Sequence, residues 1–523
     1  MAEKLIAEEL AKKQQSISVS EFFTRNRHLL GFDNPRKALL TTIKEAVDNA
    51  LDACEEAKVL PVIKVKIKKL SEKKFQITIE DNGPGIVKKQ IPNIFASLLY
   101  GSKFFSMKQS RGQQGIGISA AVLYAQLTTG KPARITSKID PKKPAHFYKL
   151  HIDTKTNTPE IVEEKEVKWD VKTGTKIELE IEAAYQKGSR SVDDYLKQTA
   201  IANPHISMVY DSPDKKRFIF PKAIQELPEE VTEIKPHPYG IELGIFIRML
   251  KNTTSRTLSA FLAKDFTRVS SKTAKDVCNR AKIKPNTHPK ELEREDSEKI
   301  FEELQNTKLM APPTNCISPI GAENLQKSLE KEIPAEFYTS TTRPPSVYRG
   351  NPFQIEVALC YGGKLEQDKT IKLLRFANRV PLQYQQASCG ITKSVSLTSW
   401  KNYGISQSRS SLPVAPMILV VHIASVWVPF TSESKESIAH YPEIIKEIRL
   451  AVQECGRKLG SHIRRTVRIR EQKEKASLFE NYIPEIASAL SNITKTNKEE
   501  LERGLNRILK KSLKELFPKE NEK

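Results

Sequence analysis

Little in this sequence belongs to covalent or metal-bound frameworks. Its six cysteines, Cys54, Cys278, Cys316, Cys360, Cys389 and Cys455, are scattered with no C-x-x-C pair. Neither a disulfide framework nor a zinc site is indicated, and a reducing setting is expected. No apolar run approaches the roughly 18 residues of a membrane span, and Met1-Ala-Glu-Lys leads into no apolar signal region. A cytoplasmic protein without a membrane partner is therefore expected. No glycine-rich stretch ends in Gly-Lys-Ser/Thr, and none has the Rossmann G-x-G-x-x-G form after a strand, so neither nucleotide motif is present. Acidic residues are also short: 63 Asp and Glu stand against 85 Lys and Arg, a net charge of +22 over 523 residues. That excess fits a polyanionic partner, nucleic acid before membrane, or simple solvation. The length allows about three or four domains.

What is there begins at Asn34. The stretch NPRKALLTTIKEAVDNALDAC predicts a helix over 34–54, with Asn34 as N-cap and Pro35 at the first helical position. Leu40, Ile43, Val47, Ala50 and Cys54 form its apolar stripe. Glu45, Asn49 and Asp52, at i, i+4 and i+7, share the opposite face. Taken alone, that face is equally a solvated one.

FQITIEDNGPG follows at 75–85. Phe75, Ile77 and Ile79 alternate with polar residues, which predicts a half-buried strand running into Asp81 and a Gly83-Pro84-Gly85 turn. The turn either ends a strand or sets Asp81 at the mouth of a pocket, where a carboxylate accepts the exocyclic amine of adenine. Gly83 and Gly85 would let the backbone approach the base. RGQQGIGIS at 111–119 then opens an apolar run. A glycine-rich loop leading into a helix presents free N–H groups to an anion.

In this order, ExxDNxxDA, DNGPG and GQQGIG resemble the GHKL ATPases: gyrase-type topoisomerases, MutL proteins, ninety-kilodalton heat-shock chaperones and sensor histidine kinases. The resemblance implies an α/β fold, with helices covering one face of a mixed sheet, that binds ATP and Mg²⁺. It implies that Glu45 is the general base for water, that Asn49 is the Mg²⁺ ligand and that Asp81 reads adenine. Gly112, Gln113, Gln114, Gly115, Ile116, Gly117, Ile118 and Ser119 would wrap the phosphates under a lid. IFASLLYGSKF at 94–104 resembles the lid region, so Ser102 and Lys103 are expected at phosphate; for Lys103 the alternative is a surface lysine. Thr175, after Gly174, resembles the final motif, whose hydroxyl supports the adenine-reading Asp. The chemistry agrees: a carboxylate in reach of an in-line water can take its proton, and Mg²⁺ needs few protein ligands.

Further along, 62–69, 134–139, 147–152 and 176–181 read as strands, and the ATPase unit is placed at 34–228. Residues 251–290 hold ten Lys or Arg against two Asp, with short helices expected at 257–266 and 271–282. This resembles a helix-two-turns-helix insert, placed at 229–306, a module able to grip DNA backbone, or else a solvated helical insert. Residues 307–350, with two Pro-Pro pairs, read as an irregular connection. Strands are expected at 352–361, 369–380 and 416–429, then a long helix over 437–470. This strand–loop–helix resembles a transducer βαβ domain (307–470), in which a loop lysine, best matched by Lys435, reaches the γ-phosphate. A charge-mixed helical segment fills 471–523. The leader, 1–33, is either packed or disordered, or is an arm exchanged with a second copy.

That domain order, with IEDNGPGI, GQQGIGIS and WVPFTSESKE, closely resembles the B subunits of type IIB DNA topoisomerases of archaeal type, across nearly the whole chain. The resemblance implies an ATP-driven dimer gate that captures double-stranded DNA. A separate A subunit would cut DNA with a tyrosine and Mg²⁺ in an A2B2 heterotetramer, relaxing and decatenating DNA at the nucleoid. No D-x-D pair of the metal-dependent cleavage type is present, so this chain is not expected to cut alone. No phospho-acceptor histidine segment precedes the ATPase motifs, which argues against a sensor kinase. The rival readings are a MutL-like or chaperone-like clamp and a DNA-binding scaffold with a degenerate ATP site.

Overall fold

The computed structural model describes residues 10–11, 13–103, 106–112, 115–432 and 434–516, with only the backbone described at 510 and 512–516. Contacts divide the chain into two units: Met1–Thr398 with Ser408–Cys455, and Ser399–Gln407 with Gly456–Lys523.

Alternation of apolar and polar residues builds the first sheet. Its strands are β1 (Val62–Lys69), β2 (Lys74–Glu80), β3 (Ala133–Lys138), β4 (Ala145–Asp153), β5 (Thr158–Val167), β6 (Gly174–Glu182), β7 (Ser207–Asp211) and β8 (Arg217–Phe220). They lie in the order β5-β4-β3-β6-β2-β1-β7-β8. Pairing is antiparallel except where β1 runs parallel to β7, Val62 opposite Ser207. In β1 the lysines face out while Ile63, Val65 and Ile67 are buried, as the period of two requires.

The buried face is covered by helices. After α1 (Val19–Arg25) come α2 (Pro35–Glu56), α3 (Ile91–Ala96), α4 (Gly117–Thr129) and α5 (Val192–Ala202). The Asn34 side chain caps α2 by accepting from Lys37 N at 2.9 Å. Leu40, Ile43, Val47, Ala50 and Cys54 of α2 are all buried, which gives this helix its fixed rotation over the sheet. The described part of the leader packs on its own chain. Ser18 Oγ donates to the Thr154 carbonyl, Ser20 Oγ to Asn157 Oδ1 at 2.7 Å, and Phe32 stacks on Tyr124 at 4.8 Å. Residues 1–9 and 12 of the leader lie outside the described residues.

Four helices follow: α6 (Leu243–Asn252), α7 (Leu258–Asp265), α8 (Ser271–Arg280) and α9 (Arg294–Asn306). Their core gathers Phe246, Phe261, Leu262, Val277 and Ile300. Thr257 and Ser270 cap α7 and α8. The short helices read from the sequence are present, each ending within two residues of its expected limit.

The segment 307–350 is more ordered than its prolines suggest. It holds α10 (Ala322–Glu332), β9 (Phe337–Thr342) and β10 (Ser346–Tyr348), because Leu325 and Leu329 are buried against the second sheet. That sheet adds β11 (Asn351–Tyr361), β12 (Lys372–Ala377), β13 (Val380–Pro381) and β14 (Met417–Ser425). Its order is β10-β11-β14-β12-β13, with β9 also on β11. β12 and β14 are parallel, and α11 (Gly390–Ser396) lies between them in sequence. β14 is shorter than its apolar run because the chain turns at Val426–Pro429. The last helices are α12 (Pro442–Thr494) and α13 (Lys498–Leu516). α12 starts later than expected and runs unbroken past residue 470, through Pro484. Among the described residues no helix is long and apolar enough to cross a membrane.

Candidate active site

A cavity of about 660 Å³ opens between α2, the end of β2 and the start of α4. At one end β2 delivers Asp81. Its Oδ1 accepts from the N–H of Gly83 at 2.9 Å and of Thr175 at 3.2 Å. Burial nevertheless pushes the Asp81 carboxyl up to about 6, against those two hydrogen bonds. Gly174 has φ +149°, and a Cβ there would lie 2.2 Å from the Asp81 carbonyl oxygen. Gly85, at φ +74°, is pressed as closely on the Lys138 carbonyl. Ser137 Oγ accepts from Ile86 N at 2.8 Å and lies 3.3 Å from Thr175 Oγ1. The sequence reading did not single out Ser137.

α2 forms the floor. Glu45 reaches the first residue of α4: a Cβ on Gly117 would fall 1.8 Å from Glu45 Oε2, so only glycine leaves room for that carboxylate. One turn on, a Cβ on Gly112 would be 3.6 Å from Asn49 Oδ1. Two other acids of α2 are buried. Asp48 accepts from Tyr195 Oη at 3.0 Å, and burial pushes its carboxyl up to about 7 despite nearby Lys44. Asp52 pairs with Lys103 Nζ at 2.9 Å and Arg111 Nη1 at 2.8 Å. Burial alone would raise its pKa, but the two cations hold it below its ordinary value.

Arg111 ties the glycine-rich loop to α2. It is 7 % exposed, grips Glu55 with both terminal nitrogens at 2.7 Å and meets Asn203 Oδ1 at 2.5 Å. Its own carbonyl accepts from Lys435 Nζ at 3.1 Å. Lys435 enters from the loop after β14 with φ +53°. Gln383 also lines the cavity, with both carboxamide atoms buried and without a hydrogen-bond partner among the described residues.

Residues 34–184 match the family described as histidine kinase-, DNA gyrase B-, and HSP90-like ATPase. Residues 312–475 match the family described as Topoisomerase VI B subunit, transducer. Residues 204–332 also match NFACT N-terminal and middle domains. The B subunit of type 2 DNA topoisomerase 6 from Methanococcoides burtonii is 50% identical over 488 residues, 93% of this chain and 78% of that one. The chain belongs to the topoisomerase VI B-subunit family. The namesake from Archaeoglobus fulgidus is 48% identical over 501 residues, 96% of this chain and 83% of that one. A likeness to the DNA gyrase B-subunit of Myxococcus xanthus, at TM-score 0.42 and 11% identity over 84% of this chain and 95% of that one, is too slight to carry an argument.

As a member of this family, the chain is an ATP-binding and ATP-hydrolysing subunit of a type IIB topoisomerase. The cavity brings together Glu45, Asn49, Asp81, Gly85, Ser102, Lys103, Gly112, Gly115, Ile116, Gly117, Ile118, Thr175 and Lys435. Gly83 and Ser119 lie behind it: Gly83 is buried in the turn, and Ser119 Oγ donates to the Ile116 carbonyl at 3.0 Å. Gln113 and Gln114 fall outside the described residues. Lys103 is at the cavity wall, with its ammonium paired to Asp52 and, at 3.0 Å, to Glu56. The sequence reading missed Arg111 and Gln383 as parts of the site. Arg111 stood in the quoted motif, but its carboxylate partners gave no local signal.

Proposed function

We propose that Asp81 receives the adenine amine, that the 112–119 loop with Ser102, Lys103 and Lys435 holds the triphosphate, and that Glu45 takes the proton of the attacking water. The observation carrying this reading is the placement of Glu45 against Gly117 and of Asn49 beside Gly112, in one cavity with Asp81 and Lys435. The Glu45 contact is a space that a Cβ on Gly117 would fill, and Asn49 lies in ordinary contact range of Gly112. The N-terminus of α4 favours anionic groups, and a carboxylate needs only hydrogen-bond reach of the water to act as base. The buried, unpartnered Gln383 amide also fits a polar ligand in this space. Asn49 is the residue to hold Mg²⁺, whose charge would offset that of the phosphates; a single neutral oxygen ligand suits this ion.

At the level of assembly, ATP closes two copies into a gate around a DNA duplex. A separate A subunit makes the double-strand break within an A2B2 heterotetramer, so that one duplex passes through another and supercoils and catenanes are removed. The ATPase (34–228), helix-two-turns-helix (229–306) and transducer (307–470) regions follow one another along the chain, with 1–33 as the exchanged arm and 471–523 as a C-terminal helical segment. The basic 251–290 region meets DNA backbone, and the protein works at the nucleoid in the cytoplasm. A shift of a gate from 1:99 to 99:1 needs about 5.5 kcal/mol of differential binding, within reach of a few charge-assisted contacts. Purified chain mixed with an A subunit and supercoiled DNA should give ATP-dependent relaxation. ATP turnover without any strand passage would return the chain to the clamp reading.

A further inference from the structure

Lys37 sits where a cation is unwelcome. It is in the first turn of α2, with its N–H bonded to the Asn34 cap. A positive charge there opposes the helix dipole, and no acidic residue of the helix occupies that turn. The ammonium turns instead to two carboxylates, Asp33 Oδ1 at 3.1 Å and Glu436 Oε1 at 2.5 Å. It also lies 5.4 Å from the centre of the Tyr384 ring. The Asp33 side chain is 40% exposed and that of Glu436 only 7%. Removing one partner of a buried pair strands the other charge, so Glu436 depends on Lys37.

Glu436 directly follows Lys435, whose left-handed backbone persists only if its surroundings fix it. The turn is shaped by bonds within it and to other segments: Lys435 N donates to the Ser432 carbonyl at 3.1 Å, the Thr431 and Ser437 hydroxyls meet, Ser437 Oγ donates to Gln385 Oε1 at 3.2 Å and Lys435 Nζ to the Arg111 carbonyl at 3.1 Å. Those bonds shape the turn without tying it to α2. The Lys37–Glu436 contact does tie it, and both residues line the cavity with Lys435.

We infer that the Lys37–Glu436 ion pair is a latch that holds the Lys435 turn over the nucleotide, making Lys37 a positioning residue for ATP-driven closure. The inference rests on the reading that Lys435 meets the terminal phosphate. The latch lets α2 sense the turn's position: when the pair parts, Lys435 leaves the phosphate with it.

The test compares full-length wild type, Lys37→Met, Glu436→Gln, their double variant, Lys37→Arg and Lys435→Ala. Three quantities are read: mass by light scattering with a non-hydrolysable ATP analogue and Mg²⁺, ATP turnover, and ADP affinity by calorimetry. Each neutral single variant should lose about thirtyfold or more in turnover and in dimerisation, as truncating a buried charge partner does. ADP affinity should hold, because ADP lacks the terminal phosphate. The double variant should be no worse than the worse single, since both remove one interaction, and Lys37→Arg should recover most of what Lys37→Met loses. Single variants that close and turn over like wild type, or losses that multiply in the double variant, would overturn the latch. So would a loss of ADP affinity in both singles, which would mark a general defect of the pocket. If Lys435→Ala is defective while both latch variants are normal, only the latch falls. If Lys435→Ala closes and hydrolyses normally, the Lys435 reading falls and the latch with it.

Discussion

The two ends of the ATP cavity are made of different materials. At the Asp81 end the carboxylate is held by backbone N–H groups of Gly83 and Thr175, and glycines 85 and 174 press against neighbouring carbonyls. All of it belongs to one sheet and its turns. At the Lys435 end the contacts are side chains from distant parts of the chain: Lys103 and Arg111 on Asp52, Arg111 on Glu55, Lys37 on Glu436. Sheet hydrogen bonds break only with the sheet. Ion pairs can be exchanged one at a time for contacts to a charged ligand. On the proposed function, the first end recognises and the second switches.

The sharpest break in that division is at the chemistry itself. Glu45→Gln should lower ATP turnover by about 10²–10⁴-fold, the range for a lost general base, and leave nucleotide-driven dimers intact, as measured by phosphate release and light scattering. Next is the ion-pair end. Arg111→Met leaves Asp52 and Glu55 buried without their shared partner and should cost about 3–5 kcal/mol of stability, read by denaturant unfolding. Glu55, despite burial that would raise its pKa, is held well below the usual carboxylate range by Arg111 and His205, and Asp52 is also depressed. Their stabilisation is present above the ordinary carboxylate pKa and lost as pH falls through the folded values, so the variant's deficit should shrink in acid.

The Asp81 end has the opposite sign. With its carboxyl pushed up to about 6 by burial, native Asp81 keeps a proton that the unfolded chain has released. Its effect on stability becomes more favourable as pH falls from about 6 toward the ordinary Asp value. If Asp81 accepts the adenine amine as proposed, the accepting carboxylate disappears over the same range, and ATP affinity should fall toward about tenfold per pH unit below 6. Affinity that stays flat from pH 7 to 5 would remove Asp81 as the reader. Asp48 has the same sign, pushed up to about 7 by burial. Its ionisation penalises the fold progressively as pH rises toward 7, so Asp48→Asn should be more stable than wild type by about 4 kcal/mol at pH 8 and nearly equal at pH 4, read by denaturant unfolding.

The same division explains what was legible in the sequence. The Asp81 end was readable because a strand, a carboxylate and a Gly-Pro-Gly turn are contiguous, and the period of two places them. Helical spacing put Glu45 and Asn49 on one face, and the family resemblance supplied their expected roles. At the ion-pair end Lys103 and Lys435 were expected from the resemblance, but the pairings were not legible, because Arg111 meets Asn203, and Lys37 meets Glu436, only after folding. Asp52 shares the polar face of Glu45 and Asn49 by spacing, but spacing does not show that it is buried where Lys103 and Arg111 close over it. β5 escaped because it is an edge strand with few buried residues, so its sequence TPEIVEEKEV lacks alternation. α10 was hidden by the prolines around it, although its Leu325 and Leu329 carry a helical spacing.

On the proposed function, Lys435 couples the terminal phosphate to closure. The most direct measurement is the mass of wild type and Lys435→Ala by light scattering, with ADP and with a non-hydrolysable ATP analogue, each with Mg²⁺. Wild type should be a dimer with the analogue only, and the Lys435→Ala chain should bind the analogue yet stay monomeric. Equal dimerisation of the two proteins would contradict the coupling.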